Sequence, residues 1–184
     1  MSDLLDQAIA IAKDAHKDQK DKANRPYFLH PQTVASFVDT EEEKIVAYLH
    51  DVMEDHPDYM TERGFRELFG DRVTDALLLL RHDRDDTYAE YIEKIRRSNN
   101  RLAIRVKLAD LRHNTDVSRG ITITDPEERD RFYAKRNEKV QTCYMPAIRS
   151  LSEQLRVIDE AVAAEGVGHA ENGMSAYTSS ENAE

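Results

Sequence analysis

The residues best placed to do chemistry are His50-Asp51 and Glu54-Asp55, set in a stretch that is otherwise apolar from Ile45 to Met53. On a helix, residues three and four apart share a surface, so His50 would face Glu54, and Asp51 would face both Glu54 and Asp55. Three carboxylates that close repel one another, and burying even one without a partner is costly. A divalent cation offsets this directly, with His50 and Asp51 as neighbouring ligands and Glu54-Asp55 one turn on, facing a water. The competing reading is a solvated helix end, with its charges in water and His50 packed in the core.

Two further segments weigh toward the cation. Lys107-Leu108-Ala109-Asp110 again sets a carboxylate in a mostly apolar helix, with Asn114 one turn beyond it. His30-Pro31 offers an imidazole at a rigid helix start. Mixed imidazole and carboxylate donors with open positions suit Mn²⁺ or a similar divalent ion.

Helices must position these groups. Apolar residues recur at helical spacing from Leu4 to Ala15, and this first helix is expected to end near Gln19. A polar loop over 20–30 precedes a short helix from Pro31 through Val38. Thr40-Glu41-Glu42-Glu43 reads as a capping box opening a third helix that carries His50-Asp51 and continues past Met53. It is apolar on most sides and should be central. His56-Pro57 ends it, Thr61 caps a helix through Leu68, and Gly70 closes that one. Further helices are expected at 72–80, 88–95 and 101–113. Gly120 to Pro126 forms a loop, and 127–165 is helical with Pro146 as a kink or restart. The whole is all-α, a single compact bundle of seven or eight helices over 1–165, followed by a disordered acidic tail over 166–184.

Composition narrows the chemistry. The chain has 184 residues, 26 Lys plus Arg against 36 Asp plus Glu, one Cys and six Gly, three of which are Gly166, Gly168 and Gly173. So few glycines leave no G-x-G-x-x-G turn and no Walker loop, so phosphate would have to be held by side chains or metal. A net charge of −10 argues against a nucleic-acid partner, which needs clustered cations. There is no long apolar run to span a membrane and no basic leader, so a cytoplasmic protein is expected, and lone Cys143 fits a reducing compartment.

The ordered set Ala15-His16-x-x-Gln19, Lys22, Pro26-Tyr27-x-x-His30-Pro31, Leu49-His50-Asp51-Val52-x-Glu54-Asp55, Tyr88-x-x-Tyr91-Ile92 and Val106-Lys107-Leu108-Ala109-Asp110-x-x-His113-Asn114 resembles the HD-domain phosphohydrolases. It is similar in particular to the hydrolase domain of RelA/SpoT-type alarmone enzymes and to the stand-alone small alarmone hydrolases, over roughly residues 5 to 150. The resemblance implies one Mn²⁺ held by His30, His50, Asp51 and Asp110. It implies that Glu54 and Asp55 position and deprotonate the attacking water, and that Asn114 and Lys22 contact a nucleotide. The family reaction is removal of the 3′-pyrophosphate from ppGpp or pppGpp.

Lys22, Lys107, Arg112, Arg119, Arg131, Lys135 and Arg136 are candidates for the substrate's other phosphates, with Arg112 and Arg131 placed beside Lys22 and Asn114 in the binding set. His16 is expected to pack or to bond a neighbour of the site, and His113 either to orient a ligand or to pack. His56, His82 and His169 are expected to carry no role, and Tyr88 and Tyr91 to lie in the core.

Two positions depart from the family pattern. Asp21 stands where these hydrolases usually have an Arg that stacks on guanine, and Asp116 stands where an Arg usually follows Asn114. Three readings follow. The first is a ppGpp 3′-pyrophosphohydrolase. The second is a phosphatase of another nucleotide, such as NADPH, an adenine alarmone or a deoxynucleotide. The third is a non-catalytic, antitoxin-like nucleotide binder. A small nucleotide is the expected partner in each, and a homo-oligomer is left open.

Overall fold

A computed structural model of the chain describes residues 3–120 and 123–175. Helices α1 (Asp3–Ala15), α2 (Leu29–Ala35), α3 (Glu41–Leu49), α4 (Val52–Asp55), α5 (Glu62–Leu80), α6 (Tyr88–Arg97), α7 (Arg101–Thr115), α8 (Pro126–Lys139) and α9 (Met145–Ser175) follow in order. No strand occurs among the described residues, only an isolated bridge between Lys20 and Pro26.

Side-chain caps decide where these helices start. Thr40 Oγ1 accepts from the Glu43 N–H while the Glu43 carboxylate accepts from the Thr40 N–H, so the expected capping box opens α3. Thr87 opens α6 with a second capping box, and the side chains of Thr61, Asn100 and Asp125 each accept one backbone N–H at the start of α5, α7 and α8. Gly70 breaks α5 with φ 80°, a conformation that glycine adopts without strain.

Helix α3 is buried on most of its circumference, with Val46, Ala47 and Leu49 fully enclosed. It packs on α1, α2, α5 and α7, and α7 in turn carries α9. Val34, Val52, Leu77, Ile104, Leu111 and Leu151 complete this core. Helix α8 differs. It buries no residue and rests on the turns at its two ends, a 3₁₀ turn over Val117–Gly120 and a π-helical turn over Val140–Tyr144. That π turn separates α8 from α9, and Pro146 falls just after the restart, where a missing N–H is tolerated.

One expectation changes. The third helix does not run through the doublet: the α-ladder stops at Leu49 and resumes at Val52, although His50 and Asp51 keep right-handed dihedrals. Successive residues on a straight helix point roughly 100° apart, and the offset lets two adjacent side chains aim at one centre. At the other end, α9 runs from Met145 to Ser175. Positions 176–184 lie outside the described residues.

Candidate metal centre and active site

Three parts of the fold bring four candidate donor residues together. His30 comes from the first turn of α2, His50 and Asp51 from the α3–α4 offset, and Asp110 from mid-α7. His30, His50 and Asp110 are buried, and the Asp51 side chain is 18% exposed. His30 Nε2 lies 3.2 Å from Asp110 Oδ1 and 3.5 Å from Asp51 Oδ2. His50 Nε2 lies 3.3 Å and 3.9 Å from Asp51 Oδ2 and Asp110 Oδ1.

The far side of each imidazole is anchored. His50 Nδ1 donates to the Ala47 carbonyl at 2.7 Å, so the proton sits on Nδ1 and Nε2 carries a lone pair. That nitrogen is buried and has no hydrogen-bond partner. His30 Nδ1 lies 2.7 Å from His113 Nδ1 with the rings stacked, so His113 both packs on His30 and hydrogen-bonds it. A lone pair on His50 thus faces two carboxylate oxygens. Acceptors converging on acceptors in a buried site are repulsive unless a cation lies among them, so the donor set fits a divalent metal. His30, His50 and Asp51 in particular bring their ligand atoms within 4.8 Å of one another.

The carboxylates remain ionised here. Burial would raise both, but it is outweighed. The His50 and His30 rings, when protonated, and the Tyr27 hydroxyl hold Asp51 below its ordinary value, and Lys107, with those protonated rings, holds Asp110 well below it. Tyr27 donates to Asp51 Oδ2 at 2.7 Å, while Lys107 Nζ and Asn114 Nδ2 reach the two oxygens of Asp110 at 2.9 and 2.6 Å.

Glu54 and Asp55 point apart. Glu54 Oε2 accepts from the His82 N–H at 3.0 Å, and burial, with the charges of Asp51 and Asp55, raises its pKa. Asp55 Oδ2 accepts from Gln19 Nε2 at 2.9 Å.

A cleft of about 550 Å³ opens beside the centre. Tyr27 and Asn114 form its inner wall, Lys20 and Lys22 one side, and Phe132, Lys135, Arg136 and Lys139 of α8 the other. Lys22 and Asn114 therefore meet there. Arg112 and Arg131 do not. Arg112 lies 4.0 Å over the Phe37 ring, and Arg131 is exposed, with Nε on the Glu127 carbonyl. The cleft-facing stripe of α8 is 132, 135, 136 and 139, the i, i+3, i+4, i+7 face, and 131 falls outside it. Lys107 is also not in the cleft: it is buried on Asp110, 5.0 Å over the Tyr91 ring. The side chain of Arg119 lies outside the described residues.

Both departing anions are engaged locally. Asp21 Oδ1 accepts from the N–H groups of Ala23 and Arg25, and its Oδ2 pairs with the Arg25 guanidinium at 3.0 Å. Asp116 caps the 3₁₀ turn through the Ser118 N–H and hydroxyl, at 2.9 Å each. Reading the sequence alone missed the hydroxyl of Tyr27, the carboxamide of Gln19, the His56 ring and the Phe132 and Lys139 side chains. The spacing of the last two with Lys135 and Arg136 was the available signal.

No family model matches the chain. It is 32% identical to the bifunctional (p)ppGpp synthase/hydrolase SpoT of Escherichia coli K12, over 60% of this chain and 17% of that protein. It is 33% identical to the guanosine-3′,5′-bis(diphosphate) 3′-pyrophosphohydrolase of Haemophilus influenzae, over 56% of this chain and 17% of that protein. The solved structure of a metazoan ortholog of SpoT that hydrolyses ppGpp superposes with a TM-score of 0.54 at 22% identity, covering 88% of this chain and 96% of the other. The chain is thus similar in sequence to (p)ppGpp hydrolases of the SpoT type over 123 residues. It spans only about a sixth of the length of the bacterial relatives, and the structural likeness establishes the fold. No helix among the described residues is long and apolar enough to cross a membrane.

Proposed function

We propose that the chain is a metal-dependent phosphohydrolase of a small phosphorylated nucleotide, with His30, His50, Asp51 and Asp110 as ligands of one Mn²⁺ and ppGpp as substrate, cleaved to GDP and pyrophosphate. The observation that carries the reading is the buried, unpartnered Nε2 of His50 facing two ionised carboxylates, beside a cleft rich in lysine. When bound, the cation would polarise a phosphoryl oxygen and lower the pKa of water.

The remaining steps belong to the chain. Lys22, Lys135, Arg136 and Lys139 bind the phosphates at the other end of the nucleotide, and Asn114 sits where the ribose would lie. Glu54, its pKa raised by desolvation and its carboxylate kept in place by the His82 N–H, takes the proton of the attacking water on its other oxygen, Oε1. Asp55 orients that water. Oxygen adds to the phosphorus attached to O3′, the P–O3′ bond breaks, and O3′ is reprotonated as pyrophosphate leaves.

A second reading, the same reaction on a nucleotide whose base is not guanine, such as adenine, is left open by Asp21. Its carboxylate is closed on Arg25, so position 21 offers no cation to a guanine. Incubating metal-loaded protein with ppGpp or its adenine counterpart, then separating pyrophosphate from orthophosphate, decides among these. Pyrophosphate from ppGpp supports the first reading, and pyrophosphate from the adenine compound alone supports the second. Orthophosphate from a different nucleotide makes the protein a phosphatase. Binding without turnover by a protein whose Asp51→Ala variant loses its metal leaves a non-catalytic binder.

A further inference from the structure

Gln19 lies in the turn after α1, where the chain departs for α2. Its backbone is fixed on both sides, its N–H donating to the His16 carbonyl at 3.1 Å and its carbonyl accepting from the Tyr27 N–H at 2.9 Å. The side chain is fixed as well. Oε1 lies 2.6 Å from His16 Nδ1 and 3.2 Å from His56 Nε2, and Nε2 lies 2.9 Å from Asp55 Oδ2.

A carboxamide oxygen only accepts and its nitrogen only donates. One orientation therefore satisfies all three neighbours: the amide N–H on the carboxylate, and the oxygen under two ring N–H groups. The flipped amide would set oxygen against carboxylate and NH₂ against ring N–H. His16 then carries its proton on Nδ1 and His56 carries its own on Nε2. These are not surface contacts, because His16 is 1% exposed and packs its ring against both His56 and Tyr27, with centroids 5.0 and 4.9 Å away.

Asp55 needs such an anchor. It is the last residue of a four-residue helix, and the backbone leaves helical dihedrals at His56, with φ −131° and ψ 61°. Its side chain is exposed, so packing alone does not choose its rotamer. Among the described residues, the hydrogen bond that does so comes from an amide held by two histidines, 36 positions away in the sequence.

We propose that Gln19 is a positioning residue for Asp55, its carboxamide locked by His16 and His56 so that the Asp55 carboxylate is held in a single orientation. The proposal rests on Asp55 being one of the acids that act on the attacking water. A double-mutant cycle of Gln19→Met and Asp55→Asn tests it. Gln19→Met is expected to lower kcat about tenfold, as for one lost charge-assisted hydrogen bond, with KM within about twofold and metal content unchanged. The double variant is expected to fall no lower than Asp55→Asn alone, because the two changes remove one interaction. Full kcat in Gln19→Met, losses that multiply in the double variant, or an effect on KM alone would overturn it.

A second measurement needs neither turnover nor a variant at Gln19. In protein labelled with ¹⁵N-glutamine, the Gln19 side-chain amide signal should shift and lose its protection from exchange when Asp55 becomes Asn. An unchanged signal overturns the proposal. Absence of turnover in the parent protein would overturn the hydrolase reading, while the amide signal still decides the contact.

Discussion

Replacing Tyr27 with phenylalanine removes one hydroxyl and leaves the ring where it packs, between His16 and His30. That hydroxyl donates to Asp51 Oδ2 at 2.7 Å. It stays a neutral donor across the working range, because burial and the charge of Asp51 both push its pKa upward. A hydrogen bond to a charged acceptor contributes about 1.5–3 kcal/mol. Here the acceptor is the oxygen that also faces His30 and His50, so the loss should fall on ligand orientation more than on folding. Loss of such an outer partner typically lowers metal affinity about 10–100-fold, which is roughly 1.4–2.7 kcal/mol and agrees with the hydrogen-bond figure. One effect opposes it: an Asp51 with one donor fewer keeps more of its charge for the cation. Competition for Mn²⁺ against a fluorescent chelator measures the balance. The control is Tyr59→Phe, whose hydroxyl serves the exposed Asp14 at 2.9 Å and should leave affinity unchanged. A Tyr27→Phe protein within about twofold of the parent, or an equal loss in Tyr59→Phe, would refute the ligand role argued for Asp51.

Other perturbations test other parts of the site. Glu54→Gln should abolish turnover yet keep metal. In the parent, burial and the neighbouring carboxylates raise Glu54, and only its ionised form accepts a proton, so kcat/KM should fall as pH drops through a value above the ordinary glutamate range; an acid limb at the ordinary value removes Glu54 as the base. Glu43→Ala should cost about 2–3 kcal/mol in urea unfolding at neutral pH, since it removes a capping box and leaves Arg105 without its carboxylate. Burial pushes Glu43 up, but its backbone hydrogen bonds and Arg105 outweigh this and hold it down, so the stabilisation is present above the ordinary carboxylate pKa and is lost as pH falls through the depressed one. A gap between parent and variant that persists in acid counts against that account. Phe132→Ala, Lys135→Ala and Arg136→Ala should each raise KM several-fold with kcat nearly constant, whereas Arg112→Ala and Arg131→Ala should change neither; steady-state kinetics showing the reverse would move the substrate out of the cleft.

Helix starts were legible in the sequence wherever a side chain makes the cap, because that chemistry is local: Thr40 with Glu43, and Thr61 ahead of Gly64. The break at His50-Asp51 was not, since both residues keep helical dihedrals and the apolar period runs through them unchanged. The four converging ligand residues were visible as residue types at helix-compatible positions. Their orienting partners were not, because Tyr27 meets Asp51 across 24 positions and Gln19 meets Asp55 across 36, and no periodicity encodes such a meeting. Arg112 and Arg131 show the same gap. Charge type suggests a phosphate partner, but helix phase against tertiary neighbours decides which way a cation faces, and only Phe37 and the turns that seat α8 set that phase.

Asp21 and Asp116 carry the argument about substrate further than their charges suggest. Read as letters, each replaces a cation by an anion beside a nucleotide pocket and counts against a polyphosphate ligand. In three dimensions the Asp21 charge is closed on Arg25 and two backbone N–H groups, and that of Asp116 on Ser118 at the end of a 3₁₀ turn. The ion pair with Arg25 neutralises Asp21, whereas Asp116 keeps its charge at the exposed turn, where salt screens it over about 10 Å. The walls of the cleft also carry Lys20, Lys22, Lys135 and Lys139. A chain of net charge −10 can therefore offer a phosphate-attracting cleft, because its anions are either spent on local caps and ion pairs or gathered at the centre where a cation is needed. The substitution at position 21 then bears on the nucleobase, through the missing stacking cation, and leaves recognition of the phosphates intact.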